Sequence, residues 1–330
     1  MCYGYDGDRT LTESLAARGL GRRRLLRGAA VALGAGALAA GGAASALAAQ
    51  PGAAPAQAAT GLGLGHGHGK GRKPLVPPGK ISIQLYTLRD ALGGEPGYDA
   101  TLRELSRIGY NKVEQALGYY GRSARELRRF YDRLGIRATS SHDGISETDE
   151  ALRTKIDNAR TLGQKYMNVP YLASSSADEW KRWAERMNVE ARAACRAGIR
   201  YGYHNHAHEF TADLGRGRTP WDILSAELDP RYVHLEIDLY WTVTAAIELG
   251  ESDPEGFSLD VIRAAPQSVL QFHVKDRSAT DGDTSDLGTG IIDFPRIFQA
   301  HQVKEYIVEN DRPDVTPIET ARVGYRYLRR

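Results

Sequence analysis

From Ile81 to the C-terminus, the sequence alternates short apolar segments with longer segments of helical periodicity, and it does so eight times. The apolar segments begin near Ile81, Asn111, Ile136, Lys165, Ile199, Tyr232, Val269 and Glu305. Helices are predicted at residues 98–108, 123–134, 148–162 and 178–197, and a glycine follows each of them, as is common at helix ends. Eight units of about thirty residues have the size of a (β/α)8 barrel. The sequence therefore predicts an α/β protein with one such barrel over residues 80–330.

Several predicted strands alternate apolar and polar residues, although buried parallel strands are usually apolar throughout. The sixth strand has Val233, Leu235 and Ile237 on one face and His234, Glu236 and Asp238 on the other. Because helices would cover the outside of the barrel, the apolar faces must point outwards and the polar faces inwards. Unpaired buried polar groups cost about 1–3 kcal/mol each. The barrel interior is therefore predicted to hold a polar network, water or a ligand.

Residues 1–49 have the features of an export signal. An arginine-rich segment at residues 21–27 precedes an Ala/Gly/Leu-rich stretch that ends in a cleavage pattern at residues 46–48. Arg22 and Arg23 with the two leucines that follow resemble the twin-arginine motif. We expect export by the twin-arginine translocation machinery to the periplasm, cell wall or medium, with cleavage near Ala48-Ala49. The many glycines argue against a membrane span, and uncleaved anchoring is the alternative.

Residues 50–79 are rich in Ala, Gly and Pro and are predicted to form a flexible linker, in which His66 and His68 have no structured neighbours. The net charge of +2 gives no reason to expect nucleic acid as a partner. The cysteines are Cys2 and Cys195, so removal of the signal leaves one thiol and no intrachain disulfide. Cys195 lies in an Ala-rich helical stretch and is predicted to be buried.

Ionisable and aromatic side chains follow most of the predicted strands, at the end of a barrel where active sites lie. They are Tyr86, Glu114, His142, the segment 204–209 with three histidines and a glutamate, Asp238, His273, Lys275, Glu309 and Asp311. Period-two alternation puts His204 and His206 on one face, with Glu209 just past the strand. Carboxylates and an imidazole from four consecutive strands make an oxygen-rich site. Such a site fits Mn²⁺ or Mg²⁺, and Co²⁺ and Zn²⁺ are also compatible with it.

The chain from Lys80 onward resembles the sugar phosphate isomerase/epimerase family, which has a xylose isomerase-like barrel. The matching segments occur in the family's order at residues 84–89, 112–114, 203–206 with Glu209-Phe210, 236–241, 273–276, 288–294 and 307–309. The resemblance implies one divalent ion, with Mn²⁺ as the leading candidate, held by Glu209, Asp238, His273 and Glu309. Related enzymes place the first glutamate at the strand end itself, where this chain has His204. His204 is therefore the alternative to Glu209 as a ligand.

The resemblance also implies chemistry through an enediolate. A metal ion that bridges a carbonyl and a neighbouring hydroxyl lowers the cost of forming this species. By resemblance, Glu209 and Glu309 remove and return the proton from opposite faces. Lys275 would polarise an oxygen or hold a substrate hydroxyl, and a salt bridge to Asp276 or Asp311 is its alternative role.

The substrate is expected to be a small sugar or glycoside. The residues predicted to contact it are Glu114, His142, His204 and His206, with Tyr86 and Trp241 stacking on an apolar ring face. The glycine-rich loop at residues 286–290 lies where barrels often bind phosphate, but no basic cluster accompanies it, so a simple turn is the preferred interpretation. An exported protein would also rarely meet sugar phosphates. We therefore expect an unphosphorylated sugar or keto sugar.

The leading functional hypothesis is a metal-dependent sugar isomerase or epimerase. The same proton abstraction permits β-elimination, so a lyase or dehydratase acting on a 3-keto-glycoside is the first alternative. A non-catalytic sugar-binding protein is the second alternative, and an apurinic endonuclease-like barrel is disfavoured because it would need more histidines and a basic surface. Many relatives form oligomers, so a homo-oligomer remains open.

Overall fold

The computed structural model describes residues 73–330, and within them eight parallel strands form one sheet. The strands are β1 (Ile81–Gln84), β2 (Lys112–Gln115), β3 (Arg137–Ser141), β4 (Tyr166–Val169), β5 (Arg200–His204), β6 (Val233–Asp238), β7 (Ser268–Val274) and β8 (Glu305–Val308). Their order runs from β3 through β2, β1, β8, β7, β6 and β5 to β4. A β-bridge between His142 and Asn168 joins β3 and β4, the first and last strands in this order. The predicted (β/α)8 barrel is confirmed as a nearly closed barrel.

Helices connect the strands and cover the outside of the barrel. They are α1 (Arg89–Gly93), α2 (Tyr98–Ile108), α3 (Ala124–Leu134), α4 (Asp149–Leu162), α5 (Ala177–Arg196), α6 (His208–Thr211), α7 (Pro220–Glu227), α8 (Leu239–Leu249), α9 (Pro254–Ala264), α10 (Phe294–Ala300) and α11 (Pro317–Arg329). Ser123 and Thr148, predicted as first residues of helices, instead cap them, because their side chains accept hydrogen bonds from the backbone N–H groups of Glu126 and Ala151. The four predicted helices are therefore confirmed, with small shifts at their ends.

The alternation along the strands sets the inside and outside of the barrel. In β1, Ile81 and Ile83 are fully buried in the apolar core, whereas the alternating residues Ser82 and Gln84 are polar and are also buried. In β5, a Cβ at Gly202 would overlap the side chains of Asn168 and His234, so glycine is needed where the interior is crowded. The barrel interior is polar, as predicted.

Side-chain amides and hydroxyls connect the polar groups inside the barrel. Asn168 Nδ2 donates to Glu236 Oε1 at 2.8 Å and to Gln271 Oε1 at 3.1 Å. Gln271 Nε2 in turn donates to Ser140 Oγ at 3.1 Å and to Glu305 Oε2 at 3.3 Å. These bonds offset the cost of burying polar atoms and fix the side chains that surround the site described below.

The predicted signal and most of the predicted linker lie outside the described residues. At the end of the linker, Val76 is fully buried, and its backbone N–H donates to the Leu328 carbonyl at 2.9 Å. The neighbouring Leu75 N–H donates to the Arg330 carbonyl at 2.8 Å. The last residues before Lys80 therefore pack against the C-terminal helix. Across residues 73–330, no helix is both long and apolar enough to cross a bilayer.

Cys195 corrects one prediction. It was expected to be buried, but it is exposed near the end of α5. The buried face of this helix includes Ala191 and Ala194, and residue 195 is turned about 100° from residue 194. The Ala-rich composition indicated a packed helix but did not show which side of it carries the thiol.

Candidate metal centre and active site

Four consecutive strands bring candidate metal ligands together at their carboxyl ends. His204 and Asp238 are the last residues of β5 and β6, His273 is the second-last residue of β7, and Glu309 directly follows β8. One ligand atom from each of these four residues lies within 4.8 Å of the others, and all four residues are buried. We call this set the outer position. Its two imidazoles and two carboxylates suit a divalent transition metal.

Glu209, predicted as the first metal ligand and as a catalytic carboxylate, lies outside this set. Its carboxylate accepts a hydrogen bond from the Tyr203 hydroxyl at 2.6 Å and another from the His206 backbone N–H at 2.8 Å. The chain turns into the short helix α6 after β5, so the Glu209 side chain folds back to the N-terminus of that helix, where an anion is favoured. The structure puts His204, the predicted alternative, beside Asp238, His273 and Glu309.

Burial and charge set the protonation of the outer position. Burial and the neighbouring His273 lower the pKa of His204 well below its usual range, so its imidazole is neutral, as a metal ligand must be. Burial raises the pKa of Asp238 to about 7. Burial would also raise the pKa of Glu309, but Lys275 and His273 hold it well below its usual value. Glu309 is therefore the ionised carboxylate of the site, and a group that accepts a proton has to be ionised.

Lys275 connects the carboxylates at the carboxyl end of the barrel. Its Nζ lies 3.1 Å from Asp238 Oδ2, 2.7 Å from Glu309 Oε2 and 2.9 Å from Asp311 Oδ2. Burial opposes the charge, but these carboxylates raise the pKa of Lys275 well above its usual range. The side chain is 1% exposed and is held in its charged form beside two of the candidate metal ligands.

A second group of candidate ligands lies deeper in the barrel. It consists of His142, His204, Glu236 and His273, all buried, again with ligand atoms within 4.8 Å of one another. We call this set the inner position. Glu114 adjoins it, because its Oε1 lies 2.7 Å from His273 Nε2 and 3.1 Å from His142 Nε2. Glu114 and His142, predicted to line a sugar pocket, thus bond to this network, and their contact with a sugar stays a prediction.

Glu236 was not singled out as a site residue from the sequence. The signal was present, because alternation along β6 puts Glu236 on the same face as Asp238. Glu236 lies two residues before the end of β6, whereas the predicted site residues lie at, next to or beyond the strand ends.

Aromatic side chains gather beside the outer position. The Trp241 ring lies 5.3 Å from Lys275 Nζ and 5.1 Å from the His206 ring. Its indole Nε1 is buried and has no hydrogen-bond partner among residues 73–330. Tyr86 is stacked under the Arg89 guanidinium at 4.3 Å. A role of Tyr86, His206 and Trp241 in binding sugar stays a prediction, and the unpaired indole N–H is a donor available to a ligand.

The glycine-rich loop at residues 286–290 is bound by the chain's own carboxylate. Asp276 accepts hydrogen bonds from the backbone N–H groups of Gly288 at 2.9 Å, Gly290 at 3.1 Å and Ile292 at 3.2 Å. A Cβ on Gly290 would overlap that carboxylate, so glycine is required there. The N–H groups that a phosphate would need are already satisfied, in agreement with the interpretation of this loop as a structural turn.

His234 makes the stability of the barrel depend on pH. It lies on β6 with Nδ1 2.9 Å from the Tyr201 carbonyl oxygen and Nε2 3.0 Å from Gln271 Oε1, and burial lowers its pKa to about 4. Below the unfolded pKa of about 6.5, the unfolded chain binds a proton that the folded chain does not bind. We expect the contribution of His234 to be complete above pH 6.5 and to fall by about 3 kcal/mol as the pH drops to 4.

Urea unfolding at several pH values checks this expectation. The His234→Gln variant removes the titrating group and should show a shallower loss of stability between pH 6.5 and 4 than the parent protein, with parallel behaviour above pH 7. Equal acid slopes in the two proteins would contradict the assignment.

Comparison with known proteins supports the architecture. A family model of the xylose isomerase-like TIM barrel matches residues 102–329. The comparison with curated proteins found no significant match to this chain. A solved sugar phosphate isomerase/epimerase from Parabacteroides distasonis is 24% identical, with a TM-score of 0.61, over 76% of this chain and 93% of that chain.

Two further solved structures are similar in fold. The probable 3-DHS dehydratase of Bacillus anthracis is 13% identical, with a TM-score of 0.55, over 76% of this chain and 98% of that chain. The IOLI protein, solved with a bound zinc atom, is 16% identical, with a TM-score of 0.56, over 75% of this chain and 96% of that chain. At sequence identities this low, the structural similarity is evidence for the barrel fold and not for a shared activity.

Proposed function

Because the chain belongs to the xylose isomerase-like TIM barrel family, we propose that it is a metal-dependent enzyme that transfers a proton next to the carbonyl of an unphosphorylated sugar or keto sugar. The activity would be that of a sugar isomerase or epimerase. The observation that carries the proposal is the convergence of His204, Asp238, His273 and Glu309 at the carboxyl ends of four consecutive strands. A sugar phosphate isomerase/epimerase among the similar structures is consistent with the isomerase or epimerase class.

The residues present fit a divalent ion. His204 Nδ1 and Asp238 Oδ2 are buried and accept no hydrogen bond from the described residues, although Asp238 Oδ2 lies beside the Lys275 ammonium. Neutral imidazole and carboxylate are ligands for Mn²⁺, Co²⁺ and Zn²⁺. His204, Asp238, His273 and Glu309 would hold the ion. When bound, it would polarise the carbonyl and hydroxyl oxygens of the sugar and stabilise the charge that develops after proton removal.

The protein side chains would supply the proton transfer. Glu309 is held ionised by Lys275 and His273, so it can accept the proton from the carbon next to the carbonyl. Lys275 is held protonated and lies 2.7 Å from Glu309, so it can donate a hydrogen bond to a developing oxyanion. Trp241 offers an apolar ring face and an unpaired N–H for the substrate.

The unphosphorylated substrate is inferred from Asp276 and from the N-terminal sequence. Asp276 occupies the loop N–H groups that could otherwise hold a phosphate. The twin-arginine-like segment, if it directs export as we propose, would bring the enzyme into contact with free sugars and glycosides.

A β-eliminating lyase or dehydratase is the second candidate, and the position of Glu209 favours it. An epimerase of the expected type needs two carboxylates on opposite faces of the substrate, but Glu209 bonds to Tyr203 and to the His206 backbone. Elimination needs one base and stabilisation of the leaving oxygen, which Glu309 and the charged Lys275 ammonium beside it can supply. A dehydratase also occurs among proteins of this fold.

One experiment separates these reactions. The full-length purified protein is loaded with Mn²⁺ and incubated in D₂O with free sugars, keto sugars and 3-keto-glycosides, and the products are followed by NMR. Deuterium at the carbon next to the carbonyl, in a recovered or isomerised sugar, supports the isomerase or epimerase. Release of the aglycone or water with formation of an unsaturated keto sugar supports the lyase. If sugars bind but show neither deuterium incorporation nor elimination, both proposed reactions are contradicted, and the protein would be a non-catalytic sugar-binding protein.

A further inference from the structure

We propose that Glu114 is a positioning residue for the metal centre, because it holds the candidate ligand His273 in the tautomer that presents Nδ1 to an ion at the outer position. The inference rests on the proposed function only in requiring that an ion binds there. It assigns a role at the metal centre to a carboxylate of β2, a strand that β1 and β8 separate from β7 in the sheet.

The His273 ring lies between two carboxylates. Its Nδ1 is 2.9 Å from Glu309 Oε2, so this nitrogen faces the outer position, and its Nε2 is 2.7 Å from Glu114 Oε1. A neutral imidazole has one N–H and one lone pair, and a carboxylate can only accept. A hydrogen bond from Nε2–H to Glu114 therefore leaves the Nδ1 lone pair for an ion. Metal-binding histidines usually donate their other N–H in this way.

The neighbouring groups leave Glu114 Oε1 to His273. His142 Nε2 also approaches this oxygen, at 3.1 Å, but it lies closer to Glu236 Oε2, at 2.7 Å. The amide Nε2 of Gln84 is 2.8 Å from His142 Nδ1 and donates to it, which assigns the ring hydrogen of His142 to Nε2 and directs it at Glu236. The Nε2–H of His273 is therefore the closest donor to Glu114 Oε1.

Ser140 fixes the other oxygen of Glu114. Its Oγ is 2.6 Å from Glu114 Oε2 and accepts a hydrogen bond from Gln271 Nε2 at 3.1 Å. The same Gln271 nitrogen donates to Glu305 Oε2 at 3.3 Å, which fixes the orientation of the amide. A hydroxyl has one hydrogen, so Ser140 donates it to Glu114. One oxygen of the buried carboxylate is thus bonded to β3 and the other to His273.

The variant Glu114→Gln tests this role through the chemistry of its amide. The Ser140 hydroxyl needs an acceptor, so the amide oxygen takes the place of Oε2 and the amide nitrogen takes the place of Oε1. That nitrogen points its hydrogens at His273 Nε2, which must then supply the lone pair. The ring hydrogen moves to Nδ1, where it opposes binding of an ion.

Glu305→Gln is the matched control, because it also replaces a buried carboxylate of the barrel interior by its amide. The hydrogen-bond and ion-pair partners of Glu305 among residues 73–330 are Thr139, Gln271 and Lys112, none of which is a candidate ligand. Full-length parent and variant proteins are titrated with Zn²⁺ against a chromophoric chelator, and thermal unfolding confirms that each is folded. We expect Glu114→Gln to weaken zinc binding about 10- to 100-fold and Glu305→Gln to change it less than about 3-fold.

Nitrogen NMR of the zinc-loaded parent protein gives an answer that does not depend on the folding of these variants. With ¹⁵N-labelled histidine, we expect the His273 ring to carry zinc on Nδ1 and a hydrogen on Nε2, with the proton signal shifted downfield by the bond to Glu114. The variant His273→Gln identifies this signal by its loss. At saturating zinc, Glu305→Gln should keep the signal and Glu114→Gln should lose it.

Two results would overturn the role of Glu114 and leave the proposed function standing. One is zinc bound to Nε2 of His273 in the parent protein, and the other is an equal zinc affinity in folded Glu114→Gln and Glu305→Gln. If the folded parent binds no zinc, manganese or cobalt, both the inference and the metal dependence of the proposed function fail.

Discussion

Replacing Glu309 by Gln is expected to reduce turnover by about 10³-fold in a protein that still folds, although loss of the buried ion pair with Lys275 lowers its stability. Glu309 is the carboxylate that Lys275 and His273 keep ionised, so the amide removes the proposed base while it keeps the shape of the side chain. General base catalysis is worth about 10²–10⁴ in rate. The measurement is the rate of solvent deuterium incorporation, or of product formation, with the sugar identified in the D₂O experiment.

Glu209→Gln is the matched control, because Glu209 was predicted from the sequence to share the catalytic role. The structure gives its carboxylate two hydrogen bonds from the protein, so the change should lower the stability by about 1–2 kcal/mol and leave turnover within about 3-fold. A Glu209→Gln variant that is folded but inactive, beside an active Glu309→Gln variant, would reverse the roles assigned here.

Asp276→Ala is expected to lower the free energy of unfolding by about 3–5 kcal/mol. The carboxylate is 1% exposed and accepts hydrogen bonds from four backbone N–H groups, of Arg277, Gly288, Gly290 and Ile292. Hydrogen bonds to a charged group are worth more than neutral ones, and the alanine would leave buried donors without partners. Urea unfolding of the two proteins at neutral pH measures the difference.

The control for Asp276 is Asp260→Ala. Asp260 is on the outer surface of α9, where it pairs with Arg263 and its side chain is 77% exposed. Surface pairs of this kind contribute less than about 1 kcal/mol. If Asp276→Ala were as mild as Asp260→Ala, the loop after β7 would not depend on that carboxylate. In that case phosphate binding by the Asp276→Ala protein should also be measured, because its loop N–H groups would no longer donate to a carboxylate.

Periodicity was sufficient to predict the barrel. Several strands carry their own alternation and the four predicted helices their own end signals, so the eight strands could be placed without tertiary information, although the helices after β5 to β8 were not predicted. The same alternation directed Asp238 and His273 into the interior, and the structure brings them together with Glu309. These residues lie in or directly after strands, where the direction of a side chain follows from its position in the sequence.

Glu209 and Asp276 could not be placed in this way. Glu209 lies beyond the end of β5, where the chain turns into helix α6, so period-two alternation no longer gives its direction. The carboxylate of Asp276 is oriented by N–H groups 12 to 16 residues further along the chain, a contact that only the folded loop creates. The positions of side chains along strands could therefore be predicted, whereas those beyond the strand ends could not, and in helix α5 the composition did not show which face carries Cys195.

The way the barrel closes has a consequence for its local opening. Strands β3 and β4 are joined at one registered pair, His142 and Asn168, whereas β5 and β6 share four. From this thin seam the His142 imidazole crosses the lumen to Glu236, 2.7 Å away. This buried pair ties the β3 side of the seam to β6 across the lumen. Parting of β3 from β4 would have to break it as well, so the backbone amide of Asp143, which donates to the Asn168 carbonyl, should exchange with solvent slowly although the two strands share a single registered pair.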